Sequence, residues 1–438
     1  MGKITLTDDQ QKIYDSIIDN VHNYPGRYES VIVGYAGTGK STLVSEVIKS
    51  LCYGYNISVT SPTHKANQVL TGMLQKAGVD KDDAEVCTIH SFLGLKLVYE
   101  KNKQVLKHDP KSKNSTRITD VLIVDECSMI GTTLFQHLIT QLHRVRRAII
   151  FIGDSCQLPP VEEDANTPKD SLSPTFEFGT KYELTQVLRQ AMDNPIIRLA
   201  TSIRECIGTQ NDPMQYVVDS ECSNIMHVQD EDSFLEAYYQ YVKANSVSML
   251  YNNVIDNKII SYTNYTVDMS NIIIRKMLFS ESEDELVKGE PIVFDTSTEN
   301  CPYMVQQMIQ CPEVRKESFM GIDCWQMKLP NGRHILAVGP ESKLDLNDKL
   351  KVLVDRINNK EKNPFTKKPY MWQDYYLIKD KINVVNYPYA TTAHKSQGST
   401  FDNIWFDLNH IERIQDNDTK CRILYTALTR PRFSIIMK

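Results

Sequence analysis

Eight consecutive residues, Gly34-Tyr35-Ala36-Gly37-Thr38-Gly39-Lys40-Ser41, constrain this chain more than any other segment. They follow an apolar run, Val31-Ile32-Val33, and lead into Ser41-Thr42-Leu43, where helical spacing begins. A strand that turns through a glycine-rich loop into a helix aims several backbone N–H groups at one spot, with the positive helix end behind them. Phosphate oxygens suit that spot. By this spacing Lys40 is expected to reach the β and γ phosphates and Ser41 to ligate Mg²⁺. Gly34, Ala36, Gly37, Thr38, Gly39 and Thr42 would line the cradle.

Asp125-Glu126 follows a second apolar run, Val121 to Val124. A carboxylate at a strand end can hold the hydration shell of Mg²⁺, so Asp125 joins Ser41 as a metal candidate. A second carboxylate beside it can orient or deprotonate an attacking water. Alone, such a pair is as readily an acidic turn; downstream of a phosphate loop the catalytic reading is the stronger one.

Further apolar runs lie at 148–152, 259–260, 404–406 and 434–436. They are continuous rather than alternating, as in strands buried on both faces. Segments 43–51 and 134–142 have helical spacing between them. The expected fold class is therefore α/β with mainly parallel sheets, in two to four domains for 438 residues. Two stretches break the rhythm and read as insertions. Residues 96–118 are polar and lysine-rich, and residues 283–382 carry seven prolines and promise short irregular strands.

A net charge of −6 excludes a protein that coats nucleic acid by bulk charge, so any such path must be a local cationic groove. Ten cysteines without a C-x-x-C pair give no support to a zinc ribbon or redox motif. With no apolar leader or spanning stretch, the expected location is a reducing cytoplasm, free of membrane.

The loop alone says only that a nucleotide is bound; the order of the other motifs narrows it. Leu6-Thr7-Asp8-Asp9-Gln10 precedes the loop, and Ser61-Pro62-Thr63-His64-Lys65-Ala66 and Cys87-Thr88-Ile89-His90-Ser91 follow it. After Asp125-Glu126 come Gly153-Asp154-Ser155-Cys156-Gln157, Leu184-Thr185-Gln186-Val187-Leu188-Arg189 and Ser261-Tyr262-Thr263-Asn264. The last two are Thr391-Thr392-Ala393-His394-Lys395-Ser396-Gln397-Gly398 and Leu424-Tyr425-Thr426-Ala427-Leu428-Thr429-Arg430. From Gln10 to Arg430 the series resembles the superfamily 1 helicases of the RecD-like branch.

The resemblance implies two RecA-like core domains, one from 1–95 and 119–188, the other from 189–282 and 383–438. A pin-like insertion would occupy 96–118, and a β-rich, SH3-like, barrel-like insertion 283–382. The implied cofactors are ATP and Mg²⁺. The implied activity is ATP-driven 5′-to-3′ travel on single-stranded DNA with strand separation at single-strand/duplex junctions. A monomer in viral replication or recombination is expected, with single-strand-binding or replication proteins as candidate partners. An ssDNA translocase that strips proteins without efficient unwinding, and an RNA helicase, stay open beside this.

By the same resemblance Gln10 would grip the adenine edge and Gln157 would sit between the γ-phosphate and the strand. Arg189 and Arg430 would be arginine fingers, and Gln397 and Gly398 would lie near the nucleotide. Pro62, Thr63, His64, Thr88 and His90 would touch the strand from the first core, and Asn264, Thr392, His394 and Lys395 from the second. Such contacts fix register without reading bases, as a motor on any sequence requires. The family's pin carries an aromatic near its tip, where this segment offers Val105 and Leu106 as the strand-separating residues. Residues 96–118 read equally as a solvated lysine-rich hairpin, and the run from Lys362 to Trp372 as a strand contact or a surface loop.

Overall fold

A computed structural model of the chain describes residues 6–80, 83–100, 103–109, 117–160, 171–188, 193–244, 246–298, 301–362 and 367–438. The chain forms two compact units. The first takes Met1–Ile225, Ser396–Thr400 and His410–Arg430; the second takes Met226–Lys395, Phe401–Asn409 and Pro431–Lys438. The four-part division expected from sequence places 189–225, 396–400 and 410–430 with the second core instead.

In the first unit the strands are β1 (Tyr28–Gly34), β2 (Ile57–Ser61), β3 (Ala84–Thr88), β4 (Leu95–Glu100), β5 (Lys103–His108), β6 (Thr119–Val124), β7 (Val145–Gly153) and β8 (Thr180–Leu184). Six of them make a sheet in the order β3-β2-β6-β7-β1-β8. Every pair in it is parallel. Alternate residues of β1 feed different cores. Ile32 packs with Leu43, Val47 and Ile150, whereas Val31 and Val33 pack with Leu122, Val124 and Phe151. Apolar cover on both faces is why these strands read as unbroken runs.

β4 and β5 form a separate antiparallel hairpin within the expected pin segment. Its register runs from Leu95 opposite His108 to Glu100 opposite Lys103. Val105 and Leu106 are therefore mid-strand rather than at the tip, opposite Val98 and Leu97. Leu106 packs against the first-unit core, which ties it to the body of the domain. Tyr99, opposite Gln104, is the aromatic position nearest the turn; the expectation of a purely aliphatic pin overlooked it.

The second unit contributes β9 (Ile225–His227), β10 (Asn257–Ser261), β11 (Pro291–Thr296), β12 (Met308–Gln310), β13 (Glu313–Phe319), β14 (Ile322–Lys328), β15 (His334–Val338), β16 (Ile382–Asn386), β17 (Ala390–Thr392), β18 (Phe401–Phe406) and β19 (Pro431–Met437). One sheet runs β17-β10-β18-β19-β9. Its pairs from β17 through β19 are parallel. The insertion is a second sheet, β12-β11-β16-β15-β14-β13, mixed because β15 and β16 run parallel while its other pairs are antiparallel.

Two helices, Pro340–Asn358 and Trp372–Lys379, accompany that sheet, with Leu346, Leu353 and Ile378 buried against Ile322, Cys324 and Val384. The sequence reading expected only short strands here, because proline reads as a breaker. Pro340 instead opens its helix, where the missing N–H has no helical partner to lose. Helix Asn264–Leu278 is fastened nearby by a buried ion pair, Arg275 Nε to Glu290 Oε2 at 3.3 Å. The second oxygen of Glu290 accepts from the Val287 N–H at 2.7 Å.

Candidate nucleotide and strand-binding site

The loop predicted from sequence joins β1 to helix Lys40–Leu51. Gly37 and Gly39 have φ of +77° and +76°, a left-handed backbone that side chains disfavour. Gly39 is also hemmed in, since a Cβ there would lie 2.4 Å from Gln10 Nε2. The Lys40 ammonium donates to the carbonyls of Gly34 at 2.6 Å and Tyr35 at 3.0 Å. Thr38 is buried, and its hydroxyl donates to the Tyr35 carbonyl at 2.8 Å. Ser41 and Thr42 lie in the first turn of the helix.

Gln10 is buried and both ends of its amide are used. Its Oε1 accepts from the Thr7 N–H at 3.0 Å, closing a capping box on helix Asp8–Asn23, and its Nε2 donates to the Thr38 carbonyl at 2.9 Å. The expected adenine grip thus belongs to a residue that also braces the loop.

Asp125 ends β6, its N–H donating to the Thr60 carbonyl at 2.8 Å. Burial, and then the charge of Glu126, pushes the Asp125 carboxyl up to about 7; Lys40 draws it back down. Glu126 has φ of +51°, a strained conformation for a residue with a side chain. Gly398 closes on this point: a Cβ there would lie 2.9 Å from Ala66 Cβ and 3.7 Å from Glu126 Cγ. Its φ is +69°.

The turn after β7 carries Asp154 and Gln157, both buried. Gln157 Oε1 has no hydrogen-bond partner among the described residues, so a buried acceptor stands open. The turn is held by residues distant in sequence. Gln397 Nε2 donates to the Leu158 carbonyl at 3.0 Å, and Arg422 Nη1 donates to the Ser155 and Gln157 carbonyls at 2.5 and 3.2 Å. Thr426 Oγ1 accepts from the Leu158 N–H at 3.0 Å.

Arg430 is buried, and burial lowers its pKa while Glu126 and Asp154 raise it. A guanidinium keeps its charge under such shifts. It donates to the Thr426 carbonyl at 2.9 Å and the Ser399 carbonyl at 3.1 Å. Arg189 lies outside the described residues. The neighbouring Leu188 N–H donates to the Gly37 carbonyl at 3.0 Å, which brings that segment to the loop.

The residues expected to touch the strand divide between the units. In the first, Ser61 and Thr88 end β2 and β3 in register. Thr63 and Thr88 cap the helices that follow, each accepting an N–H at 3.1 Å. His64 is exposed beside Pro62, and His90 is half-buried. In the second, Ser261 and Thr392 end β10 and β17 in register. Thr263 caps helix Asn264–Leu278, and Thr392 Oγ1 accepts from the Lys395 N–H at 3.1 Å. Asn264 and Lys395 are exposed and His394 half-buried. Sequence reasoning passed over Tyr265, which is 73% exposed next to Asn264; an exposed aromatic beside a cap was the available signal. It also gave no role to Tyr425, whose buried hydroxyl bonds Ala36 and Asp154.

Parallel sheets, a phosphate loop and a carboxylate pair at the neighbouring strand end define a P-loop nucleotide-binding protein. A family profile described as an AAA domain matches residues 5–212. Across its length the chain is similar to the ATP-dependent DNA helicase dda of Enterobacteria phage T4, 27% identical with 98% of each chain covered. It is also similar to the RecBCD enzyme subunit RecD of Buchnera aphidicola subsp. Schizaphis graminum, 24% identical over 92% of this chain and 68% of that one. These likenesses are to DNA helicases of the Dda and RecD kinds. The fold agrees with the crystal structure of Pif1 helicase from Bacteroides in complex with ADP-AlF3 and ssDNA. That comparison gives a TM-score of 0.52 and 18% identity, covering 100% of this chain and 93% of that one.

Proposed function

We propose that the chain is an ATP-dependent DNA helicase that moves along single-stranded DNA and separates duplex strands. The observation that carries this is the gathering of Lys40, Asp125, Glu126 and Gln157 around the loop at the strand ends of one sheet, with Arg430 near enough to Glu126 and Asp154 to feel their charge. The loop, Lys40 and the helix N-terminus fit the triphosphate of ATP; Gln397 and Gly398 border it, with Gln10 toward the base. Ser41 and Asp125, hydroxyl and carboxylate, fit Mg²⁺. When bound, the metal supplies charge neutralisation on the phosphates. Glu126 orients the attacking water, the open Gln157 acceptor suits that water, and Arg430 and Arg189 offset transition-state charge.

Contacts to the strand would come from Pro62, Thr63, His64, Thr88 and His90 in the first unit and from Asn264, Thr392, His394 and Lys395 in the second, where Tyr265 offers a face for base stacking. Travel is 5′ to 3′, as the family resemblance implies. The four-part division, with 96–118 as pin, is kept as the working description. Tyr99, paired with Gln104 nearer the end of the hairpin than Val105 and Leu106, supports a wedge at that end in place of the aliphatic pair. Among the described residues no helix is long and apolar enough to cross a membrane. Ten cysteines without a disulfide support a reducing cytoplasm, and the phage relative supports a role in viral replication or recombination.

The test is unwinding of a forked duplex beside ssDNA-stimulated ATPase. Both activities, on a 5′-tailed fork, are expected. Strong ATPase without unwinding would establish the protein-stripping translocase instead, and stimulation by RNA alone an RNA helicase.

A further inference from the structure

Helix Asn417–Leu428 gives the first unit a tyrosine that bridges two parts of the nucleotide site. Tyr425 is buried. Its hydroxyl oxygen accepts from the Ala36 N–H at 2.9 Å, and its O–H donates to Asp154 Oδ2 at 2.7 Å. Both neighbours are themselves committed. The Ala36 N–H belongs to the peptide whose carbonyl, on Tyr35, accepts from Lys40 Nζ at 3.0 Å and from the Thr38 hydroxyl at 2.8 Å. A single peptide plane thus carries the catalytic lysine on one edge and Tyr425 on the other. The remaining oxygen of Asp154 accepts from the Cys156 N–H at 3.0 Å, inside the turn that presents Gln157.

We propose that Tyr425 is a positioning residue for nucleotide turnover. Its hydroxyl fixes the orientation of the Tyr35–Ala36 peptide, and through it the resting place of Lys40. The same oxygen locks the phosphate loop to the Asp154 turn, so that Lys40 and Gln157 are held in one register. Tyr425 acts through the Ala36 N–H and Asp154 that it bonds. The inference rests on the reading of the chain as an ATP hydrolase.

Phenylalanine fills the same space without the bridging oxygen. In Tyr425→Phe the Ala36 N–H and Asp154 Oδ2 are left buried and unmatched, which the chain relieves by rotating the 35–36 peptide and carrying the Lys40 acceptor away. Asp154→Asn weakens the bridge from the other side, because one amide oxygen is left to serve both the tyrosine proton and the Cys156 N–H.

The experiment is steady-state ATPase of the full chain with oligo-dT, for wild type, Lys40→Ala, Tyr425→Phe, Asp154→Asn and the double variant, with melting temperatures recorded. Tyr425→Phe is expected to lose about tenfold in kcat, from one misplaced charge-assisted bond, while KM for ATP shifts less than about threefold. Asp154→Asn and the double variant should fall to the same level, because all three lose one shared bridge. Wild-type kcat in Tyr425→Phe overturns the proposal, as do losses that multiply in the double variant. A deficit that vanishes when turnover is measured far below the variant's melting temperature marks a purely structural tyrosine and also overturns it. Wild-type protein without ATPase defeats the hydrolase reading itself; active wild type, dead Lys40→Ala and unimpaired Tyr425→Phe defeat this inference alone.

Discussion

Gln10 donates through Nε2 to the carbonyl of Thr38 at 2.9 Å and so ties the first helix to the phosphate loop. Gln10→Ala removes this brace together with the capping box. If the amide only braces the loop, KM for ATP and GTP rises by the same factor. If it also reads adenine, the preference for ATP over GTP collapses as well, and ratios of kcat/KM for the two nucleotides decide.

Lys40→Ala is expected to abolish ATP turnover, and Glu126→Gln to keep nucleotide binding while kcat falls by about 10² to 10⁴, the range of a lost general base. Fluorescent-nucleotide titration beside ATPase checks both. Loss of binding in Glu126→Gln would mean that its left-handed backbone, rather than its carboxylate, is what the site needs.

The hairpin register separates two roles within the pin. Tyr99→Ala should reduce unwinding of a fork while leaving ssDNA-stimulated ATPase intact. Leu106→Ala, which opens space against the first-unit core, should instead lower stability by about 1–2 kcal/mol, a fraction of the cost at a fully buried leucine. Equal unwinding by Tyr99→Ala and wild type would remove the wedge from the β4–β5 turn.

The buried pair of Arg275 and Glu290 makes a stability prediction for the second unit. Arg275→Met alone strands a carboxylate and should cost about 3–5 kcal/mol in urea unfolding. Arg275→Met with Glu290→Leu should recover most of that loss, because no buried charge is left. Additive losses in the double variant would show that packing, not charge pairing, sets the cost.

Burial, and then the charges of His64 and His137, holds the His90 imidazole below its ordinary pKa of 6.5. A histidine with a depressed folded pKa takes its proton first in the unfolded chain. Its contribution is complete above pH 6.5 and is lost as pH falls from there through the lower folded value. The urea midpoint should therefore drop between about pH 7 and about pH 5.5, and drop less in His90→Gln. An identical pH dependence in the variant would show that other groups cause it.

What could be read from sequence was what is local. The phosphate loop and the Asp125-Glu126 pair are set by neighbours a few residues away, and their residue types announce them. The buried parallel strands were legible too, because cover on both faces leaves no polar alternation. Tyr425 was visible as part of a motif, but its partners lie 389 and 271 positions away, and no spacing rule reaches that far. The place of Leu106 was hidden for a related reason. Hairpin register depends on where the turn falls, and one residue of slip changes which side chains meet the core.

The segment His410–Arg430 belongs to the first unit, yet it is strung between β18 and β19 of the second. Arg422, Tyr425 and Arg430 therefore leave the ribosome only after β10 to β18 of the second unit have been made, long after the loop at residues 34–41. Until then the nascent protein carries a phosphate loop without Arg430 and without the tyrosine hydroxyl that bonds Asp154. Chain order thus makes the completed nucleotide site a late product of synthesis.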